Sequence, residues 1–142
     1  GTFLNGEYLN SGDYLTSYQA NMIEDSTTWY IGTVGGGANY RLAKYKDINM
    51  SDYAQNVDTK IGLLRIGELM TSQINIRDNN TIYWLLTPYN DFQVRSVYKN
   101  GDVYYGDSVG FLGVKPAFNL KSNVIITGGT GLKDDPFTLA LQ

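Results

Sequence analysis

Two segments in the C-terminal half of the chain concentrate the residue types that proteins use for recognition. They run over Tyr89–Gln93 and Tyr98–Ser108 and are rich in Tyr, Asn, Asp, Ser and Gly. Tyrosine supplies a large rigid ring at low entropic cost, and short polar side chains supply adaptable hydrogen bonds, as in antibody binding loops. A solvated hairpin with ordinary turn residues is the alternative interpretation. The predicted ligand-binding residues are Tyr89, Asn90, Asp91, Tyr98, Asp102, Tyr104, Tyr105 and Asp107.

Catalytic chemistry has few candidate groups in this sequence. Cysteine and histidine are both absent, which removes the thiol nucleophile, the usual general base near neutral pH and the commonest zinc ligands. Fourteen carboxylates remain, and a glycosidase needs two of them facing one cleft, but the sequence singles out no such pair. We therefore expect a protein that is not an enzyme, with a hydrolase as the least favoured alternative.

Oxygen-bearing side chains in the loops raise the question of a calcium site. They are Asn90, Asp91, Asp102, Asp107, Asp134 and Asp135. Calcium prefers such ligands, but no Asp-x-Asp-x-Asp-Gly spacing occurs in the chain. We expect solvated loops without an ion and predict no metal and no other cofactor.

The charge and hydropathy of the chain argue against two further classes of partner. The formal net charge is −3, and lysine and arginine do not cluster, so nothing in the sequence attracts a phosphate backbone. No apolar run approaches the roughly 18 residues that a membrane-spanning helix needs. We expect no nucleic acid partner and no membrane span in this chain.

A run of three glycines at positions 35–37 follows the β-branched and aromatic segment Thr28–Val34. A phosphate-binding loop would need a helix after the glycines, but the next residues, Asn39–Tyr45, alternate like a strand. We interpret Trp29–Tyr45 as a hairpin with a glycine tip, and we expect no nucleotide site.

Short strands dominate the remaining pattern, which predicts an α+β fold of mostly short antiparallel strands with two or three short helices. Asn100-Gly101 between two apolar segments indicates a type I′ hairpin in which Tyr98 faces Val103. Trp84 and Pro116 are expected in the core. The predicted strands are Glu7–Leu9, Tyr14–Thr16, Thr28–Val34, Ile61–Leu64, Tyr83–Leu86, Val94–Tyr98, Val103–Tyr105, Gly113–Leu120, Val124–Thr127 and Phe137–Leu141. The predicted helices are Tyr18–Ile23, Ser51–Val57 and Ile66–Ser72.

Three segments resemble a known pattern when they are taken together. Tyr83–Pro88 reads YWLLTP, Val94–Val103 reads VRSVYKNGDV, and Gly113–Lys121 reads GVKPAFNLK. This order resembles the YWLxxP…GV(R/K)PAxNLKS pattern of a bacterial domain of unknown function. That domain is found in Firmicute surface and phage-like proteins and is related to the C-type-lectin-like and formylglycine-generating-enzyme fold. The resemblance covers Ile61–Leu141, and Leu86-Thr87 stands where the pattern has Arg-Ser.

The resemblance implies a C-type-lectin-like fold whose loops and hairpin carry the ligand surface. The cysteine pair of the enzymatic relatives and the calcium motif of sugar-binding lectins are both missing from this chain. We expect a single domain over residues 1–142, with N-terminal strands and a hairpin in residues 1–60 and a C-type-lectin-like core in residues 61–142.

These observations favour an extracellular or cell-surface recognition domain that binds a protein or a glycan. The alternative is a structural subunit, such as the globular head of a pilin-like or other surface filament held by homotypic contacts. The chain starts at Gly1 without an initiator Met, so we expect a processed chain or an excised domain. Solution size distinguishes the two functions, because a filament subunit should self-associate.

Overall fold

Short antiparallel strands carry most of the regular structure in the computed structural model, which describes residues 2–31, 56–71, 81–89 and 92–142. The mixed α+β class predicted from the sequence is confirmed. The strands are β1 Thr27–Tyr30, β2 Asn56–Thr59, β3 Gly62–Leu63, β4 Tyr83–Pro88, β5 Gln93–Val97, β6 Val103–Asp107, β7 Pro116–Ala117, β8 Val124–Gly128 and β9 Thr138–Leu141. The helices are α1 Ser17–Asn21 and α2 Ile66–Thr71, and a π-helical turn spans Leu4–Tyr8.

Four small antiparallel sheets are formed by these strands. β4, β5 and β6 form a three-stranded sheet in sequence order, while β1 pairs with β2, β3 with β7, and β8 with β9. In the three-stranded sheet β5 is central, so β6 is an edge strand. Among the described residues, no helix is long and apolar enough to cross a membrane.

Within the described ranges, the core consists of two buried clusters. The first joins the N-terminal segment to the residue before β3 and contains Leu4, Leu9, Ile23 and Ile61. The second lies between α2 and the three-stranded sheet and contains Leu69, Tyr83, Leu85 and Val97. Tyr83 and Leu85 are two residues apart on β4, so the period-two alternation of a strand turns both toward the core.

Lys115 packs on the second cluster from the β6–β7 connection. Its ammonium lies 4.1 Å from the centroid of the Tyr83 ring, and burial lowers the pKa of Lys115 because the charged form loses solvation. The ring face compensates part of that loss through a cation–π contact.

The N-terminal strands predicted at Glu7–Leu9 and Tyr14–Thr16 are wrong. Residues 4–8 form the π-helical turn, which places Leu4 and Leu9, five residues apart, in one buried cluster. The Asn5 amide fixes this turn, because it donates to the carbonyl of Ile61 and accepts from the Ile61 N–H, both at 2.9 Å. Long-range bonding therefore overrides the local strand pattern.

Other sequence predictions are partly corrected. The helix near Tyr18–Ile23 exists as α1, with a capping box between Thr16 and Gln19. Of the strand Gly113–Leu120 only Pro116–Ala117 is formed, with isolated bridges at either end, because its partner β3 is only two residues long. The remaining predicted strands from β4 onward and α2 are confirmed within a few residues.

Two predictions fall largely outside the described residues. For the hairpin Trp29–Tyr45, only the first residues are described, and there Trp29 pairs with Val57 of β2. Most of the helix Ser51–Val57 also lies outside, but its last two residues are extended in β2, because they complete a ladder with β1.

Candidate binding surface

The turn between β5 and β6 sets the register of the two strands that carry most of the predicted ligand-binding residues. The Tyr98 N–H donates to the carbonyl of Asp102, and the Gly101 N–H donates to the carbonyl of Tyr98, both at 2.9 Å. Gly101 has φ +89°, and among the described residues only glycines have positive φ. A type I′ turn needs positive φ at both central residues, so the predicted type I′ turn is wrong.

The connection is instead a three-residue loop, Lys99-Asn100-Gly101, with glycine in the left-handed position. Asn100 keeps a negative φ and caps the loop with its side chain, which accepts from the Asp102 N–H at 3.2 Å. The register therefore places Val103 opposite Val97, and not opposite Tyr98 as the sequence predicted.

This register decides which side chains share a face of the sheet. Arg95 pairs with Tyr105, and Ser96 pairs with Tyr104. Because successive residues of a strand point to opposite faces, Arg95 and Tyr105 lie on one face while Ser96 and Tyr104 lie on the other. β6 is the edge strand, so tyrosines from both faces reach the same edge of the sheet.

Four tyrosines form a continuous aromatic group at this edge, which we call the tyrosine row: Tyr89, Tyr105, Tyr104 and Tyr98. Tyr89 and Tyr105 stack with centroids 4.1 Å apart and planes 7° apart. Tyr105 and Tyr104 stack at 5.1 Å and 1°, and Tyr104 meets Tyr98 edge-on at 5.2 Å and 60°. The separations of Tyr104 from Tyr105 and from Tyr98 lie within the usual range of favourable aromatic pairs, about 4.5–7 Å, and Tyr89 and Tyr105 approach still more closely.

A buried guanidinium lies at one end of the row. The Arg95 guanidinium carbon is 4.6 Å from the centroid of Tyr89, and Arg95 is only 7% exposed. A cation over a ring face is attracted by the negative potential of that face, and burial strengthens the attraction. Tyr89 therefore contacts Arg95 as well as Tyr105, which fixes the row from the side of the sheet.

Solvent reaches the other side of the row. Tyr104 is 52% exposed, Tyr98 40% and Tyr105 36%. Tyr105 stands between Tyr89 and Tyr104, so neighbouring tyrosines take up both faces of its ring. A ligand would therefore meet ring edges and phenolic groups, which offer apolar contact and hydrogen bonds together.

Trp84 supports β6 from the face that carries Tyr104. A Cβ added at Gly106 would lie 3.0 Å from Cη2 of Trp84, and one at Gly110 would lie 3.6 Å from Cζ2. Glycine at 106 thus lets the indole reach across Ser96 to the edge strand. Trp84 is half-buried, so it is less enclosed than the core position expected from the sequence.

The structure brings part of the predicted site together. Tyr89, Tyr98, Tyr104 and Tyr105 form the row, while Asn90 and Asp91 lie outside the described residues. Asp102 and Asp107 are at opposite ends of β6 and bond locally: Asp102 accepts from Asn100 at 2.6 Å, and Asp107 accepts from Gln93 at 3.0 Å. The two carboxylates flank the row and are not part of it.

Sequence reasoning missed some residues at this edge. Arg95 was not among the predicted ligand-binding residues, but the correct register would have placed it opposite Tyr105. Three apolar side chains are strongly exposed near the row: Phe92 is 77% exposed, Val109 85% and Phe111 103%. The Ser108 N–H donates to the carbonyl of Phe92 at 2.9 Å, so the flanking loops meet there. The sequence signal that could have identified these exposed side chains is the presence of apolar residues among turn residues.

Metal ligands are not grouped in the described ranges, where no three acidic side chains come together in a way that could hold an ion. The rings and hydrogen-bonding groups of the predicted surface are the groups with which it could contact a ligand.

Comparisons with known proteins identify one family. The sequence model of a domain of unknown function, DUF6273, matches residues 2–122. The match extends through the N-terminal segment, which the resemblance at Ile61–Leu141 did not include, and ends before β8. Searches of curated proteins and of solved structures find no match.

Proposed function

The chain belongs to the DUF6273 family, a domain of unknown function, and we propose that it is a non-catalytic recognition domain that binds a protein or a glycan through the tyrosine row. One observation carries the proposal: three parallel tyrosine rings are stacked at a sheet edge with their outer edges in solvent. Large aromatic residues held in this way are the commonest binding hot spots.

Rigidity supports this function. Stacking fixes the rings before a ligand arrives, and Arg95 fixes Tyr89 through a buried cation–π contact. A ligand then loses less free energy to ordering of side chains, a cost of roughly 0.5–1.5 kcal/mol for each immobilised long side chain. Phe92, Val109 and Phe111, in the loops that flank the β5–β6 hairpin, add exposed apolar side chains to this part of the chain.

We also propose a fold and a cellular location for the chain. We assign a C-type-lectin-like fold and an extracellular or cell-surface location, because the three segments that resemble the bacterial surface-protein pattern coincide with β4, the β5–β6 hairpin and the segment around β7. The first two of these segments, β4 and the β5–β6 hairpin, form the sheet that carries the tyrosine row. The lack of His and Cys in the sequence supports a non-catalytic role.

Exposed aliphatic side chains on the β8–β9 hairpin favour a second candidate function, a structural subunit of a surface filament. Ile126 is 60% exposed and Leu139 36%, and the two residues pair across the strands. A two-stranded hairpin is marginal by itself, so homotypic packing on this face would stabilise it. In that case the sedimentation coefficient of the chain rises with concentration, and Ile126→Thr abolishes the rise.

Screening tests the recognition proposal. The labelled chain is applied to an array of glycans and to immobilised extracellular proteins, in parallel with a double variant, Tyr98→Ala/Tyr104→Ala. The proposal expects binding by the wild type that the double variant loses, while circular dichroism shows both chains folded. Equal binding by both chains would move the ligand surface away from the tyrosine row.

A further inference from the structure

A polar cleft lies between β1, the beginning of α2 and the segment after β7. It has a volume of about 160 Å³, and none of the tyrosine-row residues lines it. The side chains that matter for its chemistry are Thr27, Trp29, Tyr30, Arg65, Glu68 and Asn119. They come from three separate parts of the chain, so the fold, and not a local turn, creates the cleft.

Trp29 is a fixed wall of this cleft. Its indole N–H donates to the carbonyl of Thr59 at 3.0 Å. The ring lies flat against Gly62, where an added Cβ would be 2.7 Å from Cε2. Only glycine allows this approach, so the indole is held in place before any ligand enters.

Arg65 is oriented by Glu68. One Glu68 oxygen accepts from the Arg65 backbone N–H at 2.8 Å, and the other accepts from Nη2 at 3.0 Å. A guanidinium has five N–H donors, and in the described part of the chain this carboxylate is the only hydrogen-bond acceptor of the Arg65 side chain. The side chain of Arg65 is 26% exposed, which leaves donors at the cleft.

The other polar groups of the cleft provide both donors and acceptors. The Asn119 amide donates to the Thr27 hydroxyl at 3.3 Å, which turns the amide oxygen of Asn119 into a candidate acceptor for a ligand. The phenol of Tyr30 adds a group that can donate or accept. Arg65 and Glu68 carry opposite charges, so the lining has no formal net charge.

We propose that this cleft binds a single sugar residue, meaning an uncharged, polyhydroxylated six-membered ring. The neutral lining favours an uncharged ligand, the mixed donors and acceptors match hydroxyl groups, and the indole of Trp29 offers ring surface for the C–H face of a sugar. At about 30 Å³ for each water, the cleft volume corresponds to about five waters, which limits the ligand to a single small ring. This site is separate from the tyrosine row and goes beyond the function proposed above.

Nuclear magnetic resonance tests the proposal, because the chain has two tryptophans. Their indole N–H signals are followed in the full chain during titration with glucose, galactose, mannose and N-acetylglucosamine. We expect at least one sugar to shift the Trp29 signal saturably, with a dissociation constant in the millimolar range, while the Trp84 signal stays in place. Tyr30→Phe, which removes one hydroxyl, should weaken this sugar about tenfold, the effect of losing one good hydrogen bond.

Controls separate this site from the tyrosine row. Tyr104→Ala should leave the sugar titration unchanged, and a loss of the titration in that variant would assign the sugar to the row. The proposal is overturned if no sugar moves the Trp29 signal at tens of millimolar, or if both indole signals move together. A response to acetate in place of the sugars would also overturn it, since it would identify Arg65 as an anion site.

Discussion

The residues that the structure describes form two exposed aromatic groups, which differ in how they are built. Phe3, Tyr8 and Tyr14 form the first near the N-terminus, where Tyr8 and Tyr14 stack at 5.2 Å and Phe3 meets Tyr14 at 5.7 Å. The second is the tyrosine row. Tyr14 is 50% exposed and Tyr104 is 52% exposed, so ring exposure does not distinguish the two groups.

The two aromatic groups differ instead in where their residues lie in the sequence. The N-terminal group joins residues close in sequence around the π-helical turn, and Tyr8 packs against the first core cluster. The tyrosine row joins the residue after β4 to residues of and around the β5–β6 hairpin, and it ends on the buried Arg95. A high tyrosine content therefore does not make a binding site by itself. In the tyrosine row, the strand register brings the rings together and places Arg95 on the strand opposite Tyr105, where its guanidinium contacts Tyr89.

Of the substitutions in and behind the tyrosine row, removal of the Trp84 side chain should reduce the free energy of unfolding most. Trp84→Ala takes away the indole that packs over Gly106 and Gly110 behind the row, and emptying a large aromatic site costs about 3 kcal/mol of unfolding free energy. Denaturant unfolding measures this loss. Phe111→Ala is the control, because its side chain is fully exposed, and it should leave stability unchanged. If both variants unfold alike, the sheet does not depend on Trp84.

Removing the central ring of the row should have a smaller effect. Tyr105→Ala breaks two stacking contacts at once, each worth about 0.5–1.5 kcal/mol, so we expect a loss of about 1–3 kcal/mol in denaturant unfolding, below that of Trp84→Ala because Tyr105 is 36% exposed. Tyr105→Phe keeps the ring and should stay close to wild type. Tyr98→Ala breaks one ring contact within the described residues, and an equal loss in that variant would contradict the stacking order.

Changing the turn glycine should have the smallest effect on stability. Gly101→Ala forces a side chain into φ +89°, which costs about 1 kcal/mol. Gly67→Ala is the matched control, because Gly67 lies in α2 with nothing within 4 Å of an added Cβ. Alanine favours a helix, so this control should be neutral or stabilising. A neutral Gly101→Ala would show that the turn does not need its left-handed residue.

Much of the sheet could be predicted from the sequence, because its strands alternate strongly. β4, β5 and β6 were predicted within a few residues, and Tyr98, Tyr104 and Tyr105 were predicted as part of the ligand surface. The register was not, because Asn-Gly favours a two-residue turn, whereas the chain uses a three-residue loop with only Gly101 left-handed. A shift of pairing changes which side chains are opposite each other, so the Arg95–Tyr105 pair was missed.

The N-terminal segment could not be predicted, because long-range contacts decide it. Leu4 and Leu9 follow neither the strand period nor the usual helical period, and Asn5 is held by Ile61, which is 56 residues away. The polar cleft has the same origin, since Trp29, Arg65 and Asn119 are distant in sequence. A local pattern does not contain these contacts.

The affinity of a matched pair of variants tests the central claim most directly. Tyr104→Ala and Tyr14→Ala remove the same side chain at nearly equal exposure, 52% and 50%, one from the tyrosine row and one from the N-terminal group. Calorimetric titration is done with a ligand that the array or protein screen identifies. Recognition by the row predicts a loss of more than about 1 kcal/mol in binding for Tyr104→Ala and wild-type affinity for Tyr14→Ala. Unchanged affinity in Tyr104→Ala, or an equal loss in both variants, would contradict it.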